Sequence, residues 1–290
     1  MPQNKSPGLG ARAVAKTAAK RALDLAFGAR VAALRGLGVI DFPVPPNHSL
    51  RITSSTTVRH YYETGLTTLL PIVTAAMTHG ADFETPLKVL DFGCGVGRQL
   101  LHLDRMFPNV EAHGCDVNHD SVRYVQQTFP RVKASVNAFD PPLPYEDHRF
   151  DLINSVSTFS HFSQADAVGW LQELRRVVRP SGLLCLTYNA GTALGRSHAR
   201  GARTDYTLDR LKTDGVWFDA DEPAFAATKA EEEVSAFACS LIGITLLYGE
   251  MHYAPEVFAR LAADQGFTVL SNLPGIIDRY QDMLVLRAPS

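Results

Sequence analysis

Cysteine is scarce: Cys94, Cys115, Cys185 and Cys239 are the only four in 290 residues, and no two form a C-x-x-C pair. A disulfide framework or a thiolate metal site needs sulfur at closer spacing, so buried, reduced thiols and a reducing cytoplasm are expected. The ten histidines show no H-E-x-x-H or similar spacing, and no metal is expected. Long hydrophobic runs are also missing. None reaches the roughly eighteen residues that a membrane span needs, and no uncharged core precedes a small-residue cleavage site, so secretion is not expected. A net charge of −2 gives no general attraction to nucleic acid, and no basic stripe interleaved with aromatics points to one.

With 46% hydrophobic and 20% charged residues, the chain is an ordinary globular protein with enough length for one large domain or two small ones. Its most informative stretch is Val89-Leu90-Asp91-Phe92-Gly93-Cys94-Gly95-Val96-Gly97-Arg98. The apolar start suits a buried parallel strand, and the alternate glycines let a ligand approach the backbone. The dinucleotide fingerprint G-x-G-x-x-G/A needs a small third residue where Arg98 stands, and no Lys-Ser or Lys-Thr completes a phosphate-cradling loop. The remaining pattern, acidic-x-Gly-x-Gly-x-Gly, suits a cofactor without phosphates. A second strand, Glu111 to Val117, ends in Asp116, nineteen residues after Gly97. A carboxylate at that distance can accept both ribose hydroxyls of an adenosine.

A third strand and loop follow at Val132 to Phe139, a fourth strand at Phe150 to Ser155, and a helix, proline-glycine turn and fifth strand from Leu171 to Tyr188. Each piece alone has a structural reading: a tight turn, a strand-end carboxylate, a turn asparagine. In this order they resemble the class I S-adenosylmethionine-dependent methyltransferases, over roughly Val89 to Leu286. The resemblance implies an α/β, Rossmann-like sheet of seven mostly parallel strands with helices on both faces. It implies S-adenosyl-L-methionine as cofactor, with Asp91, Gly93, Cys94, Gly95 and Gly97 at its methionine end. Asp116 would take the ribose and Val117 would lie against the adenine. Asn137 stands where the family usually has aspartate, and its side-chain carbonyl can still accept from the adenine amino group. Ala138 and Ser155 complete the expected cofactor set.

The tail fits the family's ending, with a helix over Pro255 to Gly266, a strand over Phe267 to Leu270 and a last, antiparallel neighbour over Met283 to Leu286. Residues 190–252 are too long for an ordinary connection and are expected to form a cap at the carboxyl ends of the strands, where substrate choice would reside. Within it, Leu241 to Tyr248 is strand-like; a partner interface is the competing reading of that apolar part. For the reaction, His161 in Ser157-Thr158-Phe159-Ser160-His161-Phe162 is the candidate base, with a helix-capping or loop-bonding histidine as the alternative. Tyr188, His252 and Tyr253 are candidates for substrate contact. A loose likeness to sugar- and small-metabolite-tailoring members, carried by the Pro-Pro-Leu-Pro segment, the Ser157 to His161 loop and Gln281-Asp282, implies a small-molecule hydroxyl acceptor.

Residues 1–50 differ from the rest. Lys5, Arg12, Lys16, Lys20, Arg21, Arg30 and Arg35 face the single acid Asp24 within residues 1–36, in an alanine-rich, helix-favouring setting. Leu23, Phe27, Val31 and Leu34 share a helical face that would suit peripheral contact with anionic lipid, but Arg30 falls on the same stripe, which favours a solvated arm. Pro43-Val44-Pro45-Pro46 reads as the linker to a catalytic body over 51–290. After it, Tyr61, Tyr62, Leu66, Leu69 and Leu70 fall at helical spacing, as core packing or with a tyrosine over the cofactor. Two rival functions remain: a non-catalytic S-adenosylmethionine-binding interaction subunit, and an NAD-dependent oxidoreductase, against which Arg98 counts.

Overall fold

The computed structural model describes residues 22, 25–52, 57–199, 208–219 and 250–290. Most of the basic arm, Cys239 and the strand-like Leu241 to Tyr248 segment lie outside the described residues. The chain divides into two compact units, residues 1–60 and 61–290. In the first, residues 25–36 are helical, Arg35 Nη2 donates to the Phe42 carbonyl at 3.3 Å, and helix α1 (Asn47–Ile52) follows the prolines directly. Leu25, Leu37 and Val39 are exposed. No helix among the described residues is long and apolar enough to cross a membrane.

The second unit is built on a seven-stranded sheet. Helix α2 (Val58–Thr78) leads into β1 (Leu87–Phe92), which alternates with α3 (Arg98–Met106), β2 (Val110–Asp116), α4 (His119–Thr128) and β3 (Lys133–Val136). Then come β4 (Phe150–Ser155), α5 (Gln164–Val177) and β5 (Val178–Tyr188). The inserted segment contributes α6 (Gly191–Ala199), α7 (Leu208–Asp214), β6 (Val216–Asp219) and β7 (Glu250–Tyr253). The chain ends with α8 (Pro255–Asp264), β8 (Thr268–Ile277) and β9 (Gln281–Arg287). The sheet order is β3-β2-β1-β4-β5-β9-β8, and β6 and β7 pair separately.

Strands β1 to β5 pair in parallel, while β9 runs antiparallel to both β5 and β8. This is the expected seven-stranded, Rossmann-like α/β architecture with one late antiparallel strand. The order reverses between β1 and β4, and open sheets of this kind bind ligands outside the carboxyl ends at that crevice. The third strand ends at Val136 and its loop begins at Asn137, whose side chain bonds the next carbonyl; one element differs in extent from the sequence expectation. The eighth runs on to Ile277 through two irregularities in its pairing with β9.

Strand parity decides what each face meets. Leu90, Phe92, Leu184, Leu186 and Tyr188 all join the main apolar cluster with Trp170 and Phe258. Ring centroids of Phe92 and Trp170 are 4.8 Å apart, and those of Tyr188 and Phe258 4.5 Å. The intervening residues of β1 and β4, Asp91 and Asn154, point the other way, as their bonds to the α3 layer show. Cys94, Cys115 and Cys185 are buried free thiols.

Candidate active site

The glycine loop is fixed before any ligand arrives. The N–H groups of Gly93 and Cys94 both donate to the Cys115 carbonyl, at 2.9 and 3.0 Å, so the loop is tied to the end of β2. Gly93 has φ 80° and a Cβ there would collide with Thr158 Oγ1. Gly97, at φ 72°, is the N-cap of α3 and lies where a Cβ would come within 3.1 Å of Phe129 and Val125. Tyr61 roofs the loop, its hydroxyl donating to the Val96 carbonyl at 3.2 Å. Tyr62 instead packs edge-on against His102 at 4.6 Å.

Beneath the loop, a buried polar relay joins β1, β4, α3 and α2. The Asn154 amide donates to Asp91 Oδ1 at 2.9 Å and to Gln99 Oε1 at 3.0 Å. Gln99 Nε2 donates to Thr68 Oγ1 at 3.0 Å, and Thr68 Oγ1 donates to the Thr64 carbonyl at 2.6 Å. Burial pushes the Asp91 carboxyl up to about 7, against the opposing pull of the Arg98 guanidinium and with a smaller push from Asp116. Arg98 in turn feels both Asp91 and Asp278, while its own burial lowers its pKa. Sequence reading used Arg98 only to exclude the dinucleotide loop; its place beside Asp91 was not legible.

The next two strand ends lie along the same rim. Asp116 Oδ2 accepts the Gly95 N–H at 2.8 Å, and Oδ1 accepts the Asn118 N–H at 2.8 Å. Burial raises the Asp116 pKa, and those two N–H groups oppose the rise. Val117 is half-buried beside it and Ala138 is exposed. Asn137 is buried, with Nδ2 donating to the Ala138 carbonyl at 2.7 Å and Oδ1 left with no hydrogen-bond partner. Cys94 is buried, and burial raises its thiol pKa well above normal. The Ser155 hydroxyl is engaged, donating to the Phe92 carbonyl at 3.0 Å.

A second group of residues gathers at the ends of β4 and β5. Gln281 Oε1 accepts from Ser157 Oγ at 3.0 Å and Thr187 Oγ1 at 2.9 Å, and its Nε2 donates to Asn189 Oδ1 at 3.0 Å. Ser157 has φ 64° and its N–H donates to Thr187 Oγ1 at 2.8 Å. The loop so held carries His161, which is half-buried with its N–H on the Thr158 carbonyl at 3.0 Å. The inserted strand β7 reaches the same place: the Met251 N–H donates to the Ser160 carbonyl at 2.7 Å and the Tyr253 N–H to the Asn189 carbonyl at 2.9 Å. The sequence neighbours of His161 and His252, Ser160 and Met251, are thereby bonded to each other.

Tyr188 and Tyr253 are fully buried in the core. Their hydroxyls donate to Asn272 Oδ1 at 3.0 Å and to the Phe162 carbonyl at 3.4 Å, and burial raises both pKa values. Neither ring faces an open cleft. Parity explains it, since Tyr188 follows Leu184 and Leu186 onto the core face. His252 points the opposite way from Tyr253, pairs across the ladder with Trp217 and stacks on it at 5.1 Å. Glu250, Trp217, Thr187 and Gln281 join this region without having been singled out as site residues. Only Gln281 left a sequence trace, in the Gln281-Asp282 pair.

An open sheet with a pinned glycine loop, a strand-end carboxylate and a strand-end amide on one rim is the arrangement in which open α/β sheets bind nucleotide cofactors. A family model described as a methyltransferase domain matches residues 89–182. Methyltransferase GfsG of Streptomyces halstedii is 34% identical over 111 residues, covering 36% of this chain and 38% of that protein. A malonyl-acyl-carrier-protein O-methyltransferase of Geobacter sulfurreducens is 32% identical over 107 residues, covering 36% and 39%. The chain therefore matches about two fifths of the length of these relatives. A solved S-adenosylmethionine-dependent methyltransferase of Methanosarcina mazei shares the fold with TM-score 0.50 and 16% identity, over 76% of this chain and 97% of that one. Residues 89–182 are thus similar to a methyltransferase domain, the sheet has the fold of a solved methyltransferase, and the cofactor of that solved protein is S-adenosylmethionine.

The residues present fit that cofactor. The orphaned Asn137 Oδ1 is an acceptor in want of a donor, which the adenine amino group is, and Asp116 keeps lone pairs for ribose hydroxyls.

Proposed function

We propose that this chain transfers the methyl group of S-adenosylmethionine to a hydroxyl of a small-molecule acceptor. The observation that carries the reading is the buried, unpartnered Asn137 Oδ1 on one rim with Asp116 and the glycine loop. Bound there, the cofactor supplies an electrophilic methyl group on a good leaving group, so the protein's task is alignment of a nucleophile and removal of its proton. Asp91, Gly93, Cys94, Gly95 and Gly97 form the wall at the methionine end, with Ser155 bracing β4 against β1 beneath it. Asp116 accepts the ribose hydroxyls, Asn137 accepts the adenine amino group, and Val117 and Ala138 flank the ring.

The acceptor enters on the β4 and β5 side, where His161 and His252 are imidazoles of the type that can take the hydroxyl proton. The inserted segment acts as the cap that selects the acceptor, and the reduced thiols suit a cytoplasmic enzyme.

Isothermal titration with S-adenosylmethionine, S-adenosylhomocysteine and NAD, followed by an assay of S-adenosylhomocysteine formation over a panel of hydroxyl acceptors, tests the reading. Binding of both adenosyl ligands without NAD, and turnover with an acceptor, is expected. Tight NAD binding alone would revive the oxidoreductase. Cofactor binding with no turnover over the panel would favour the interaction subunit.

A further inference from the structure

Of the two histidines near the acceptor side, His252 has the surroundings of a proton acceptor. It lies on β7 between two anchor points, the Met251 N–H on Ser160 and the Tyr253 N–H on Asn189, so its backbone is fixed against the loop that follows β4 and the end of β5. Its side chain is 1% exposed. Nε2 lies 3.5 Å from Glu250 Oε2, and one ring face stacks on Trp217 with planes 30° apart. Nδ1 is buried with no hydrogen-bond partner.

These contacts specify a tautomer. A carboxylate beside Nε2 favours the proton there, and that places the lone pair on Nδ1. A buried polar nitrogen without a partner is destabilising in the empty protein, and a ligand hydroxyl donating to Nδ1 would remove that penalty. Trp217 packs against buried Leu194 and Leu211, which gives the same spot an apolar, aromatic wall. A hydroxyl borne on a flat or apolar body matches both features.

We infer that the Glu250–His252 pair receives the acceptor's hydroxyl proton at Nδ1, with Trp217 holding the body of the acceptor. This rests on the methyl-transfer reading above. The O–H proton passes to Nδ1 while the oxygen lone pair forms the bond to the methyl carbon and the carbon–sulfur pair returns to sulfur. Glu250 is a positioning residue that orients the ring and stabilises the imidazolium.

The test uses the full chain labelled with 15N-histidine and saturated with S-adenosylhomocysteine, with phenol and methanol as minimal hydroxyl probes. Two-bond 15N–1H spectra report the tautomer, and loss of one signal set in His252→Gln assigns it. The expected wild-type result is a protonated Nε2 and a bare Nδ1 whose resonance moves upfield with phenol more than with methanol. Glu250→Gln is expected to shift population towards the Nδ1–H tautomer. A protonated Nδ1 in wild type, or an Nδ1 resonance that neither probe moves while S-adenosylhomocysteine is bound, overturns the assignment but leaves methyl transfer standing. Failure of S-adenosylhomocysteine to bind in calorimetry instead overturns the reading on which the assignment rests.

Discussion

Gly95 and Asp116 are joined by a 2.8 Å bond from the glycine N–H to carboxylate Oδ2, so the end of β2 holds the cofactor loop by its middle residue. The Asn118 N–H takes Oδ1 at the same distance. An ionised carboxylate has about four acceptor positions, and these two bonds leave one on each oxygen, the number that two ribose hydroxyls require. Asp116 thus sets the loop and remains free to bind.

Replacing Asp116 with alanine is expected to weaken binding of S-adenosylhomocysteine by about 1.5–3 kcal/mol, the scale of hydrogen bonds to a charged group. Titration calorimetry measures it directly. Asp116→Asn should lose less, because one oxygen survives. An unchanged affinity in the alanine variant would remove Asp116 from the ribose.

Asp91 gives a pH dependence whose sign follows from its burial. Its folded pKa, about 7, lies above the ordinary carboxylate value of 3.8, so between the two the native state holds a proton that the unfolded chain has released. Stability from this group is therefore present below the unfolded pKa and declines as pH rises towards about 7. Cationic S-adenosylmethionine favours the ionised form, so its affinity should rise over the same interval. Asp91→Asn should flatten both trends, improving thermal stability on the alkaline side while weakening the cofactor. Melting curves and calorimetry at about pH 6 and about pH 8 suffice, and parallel pH trends in wild type and variant would refute the assignment.

Asn137 can be tested by changing the ligand instead of the fold. If Oδ1 accepts the adenine amino group, S-inosylhomocysteine, which has a carbonyl oxygen at that position, should bind the wild type at least about 1 kcal/mol more weakly than S-adenosylhomocysteine. In Asn137→Ala the two ligands should converge. An equal preference in both proteins would place the base elsewhere.

The placing of the candidate rim was legible because each part is local. Asp91 to Gly97, Asp116 and Asn137 stand at the ends of neighbouring parallel strands, and order in the sequence becomes neighbourhood in space. The relay from Asp91 through Asn154 and Gln99 to Thr68 was not legible, since its links join residues 63, 55 and 31 positions apart. Strand parity was readable but outweighed by residue type. Tyr188 drew attention as a polar aromatic at a strand end, yet its alternation with Leu184 and Leu186 already placed it in the core. Glu250 and His252 share a strand face at i, i+2 spacing, whereas Trp217 and Asn189 reach His252 only through tertiary pairing, which no spacing rule shows.

Gln281 is expected to hold the acceptor loop and not the cofactor. Its side chain accepts from Ser157 and Thr187 and donates to Asn189, and Ser157 sits at φ 64°, a conformation that costs about 1 kcal/mol or more and persists only where neighbours enforce it. Gln281→Leu keeps the volume and takes a partner from buried Thr187 and Asn189 and from half-buried Ser157, and a buried polar group left unsatisfied costs about 1–3 kcal/mol. A lowered melting temperature should therefore accompany an S-adenosylhomocysteine affinity within about twofold of wild type, because an affinity change that small is under 0.5 kcal/mol and the cofactor rim lies on other strands. Ser157→Gly serves as the counterpart, since glycine adopts the positive φ without strain and loses only one hydroxyl bond. It should destabilise less than Gln281→Leu. If Ser157→Gly proved the more damaging of the two, the hydroxyl and not the loop conformation would be what Gln281 preserves.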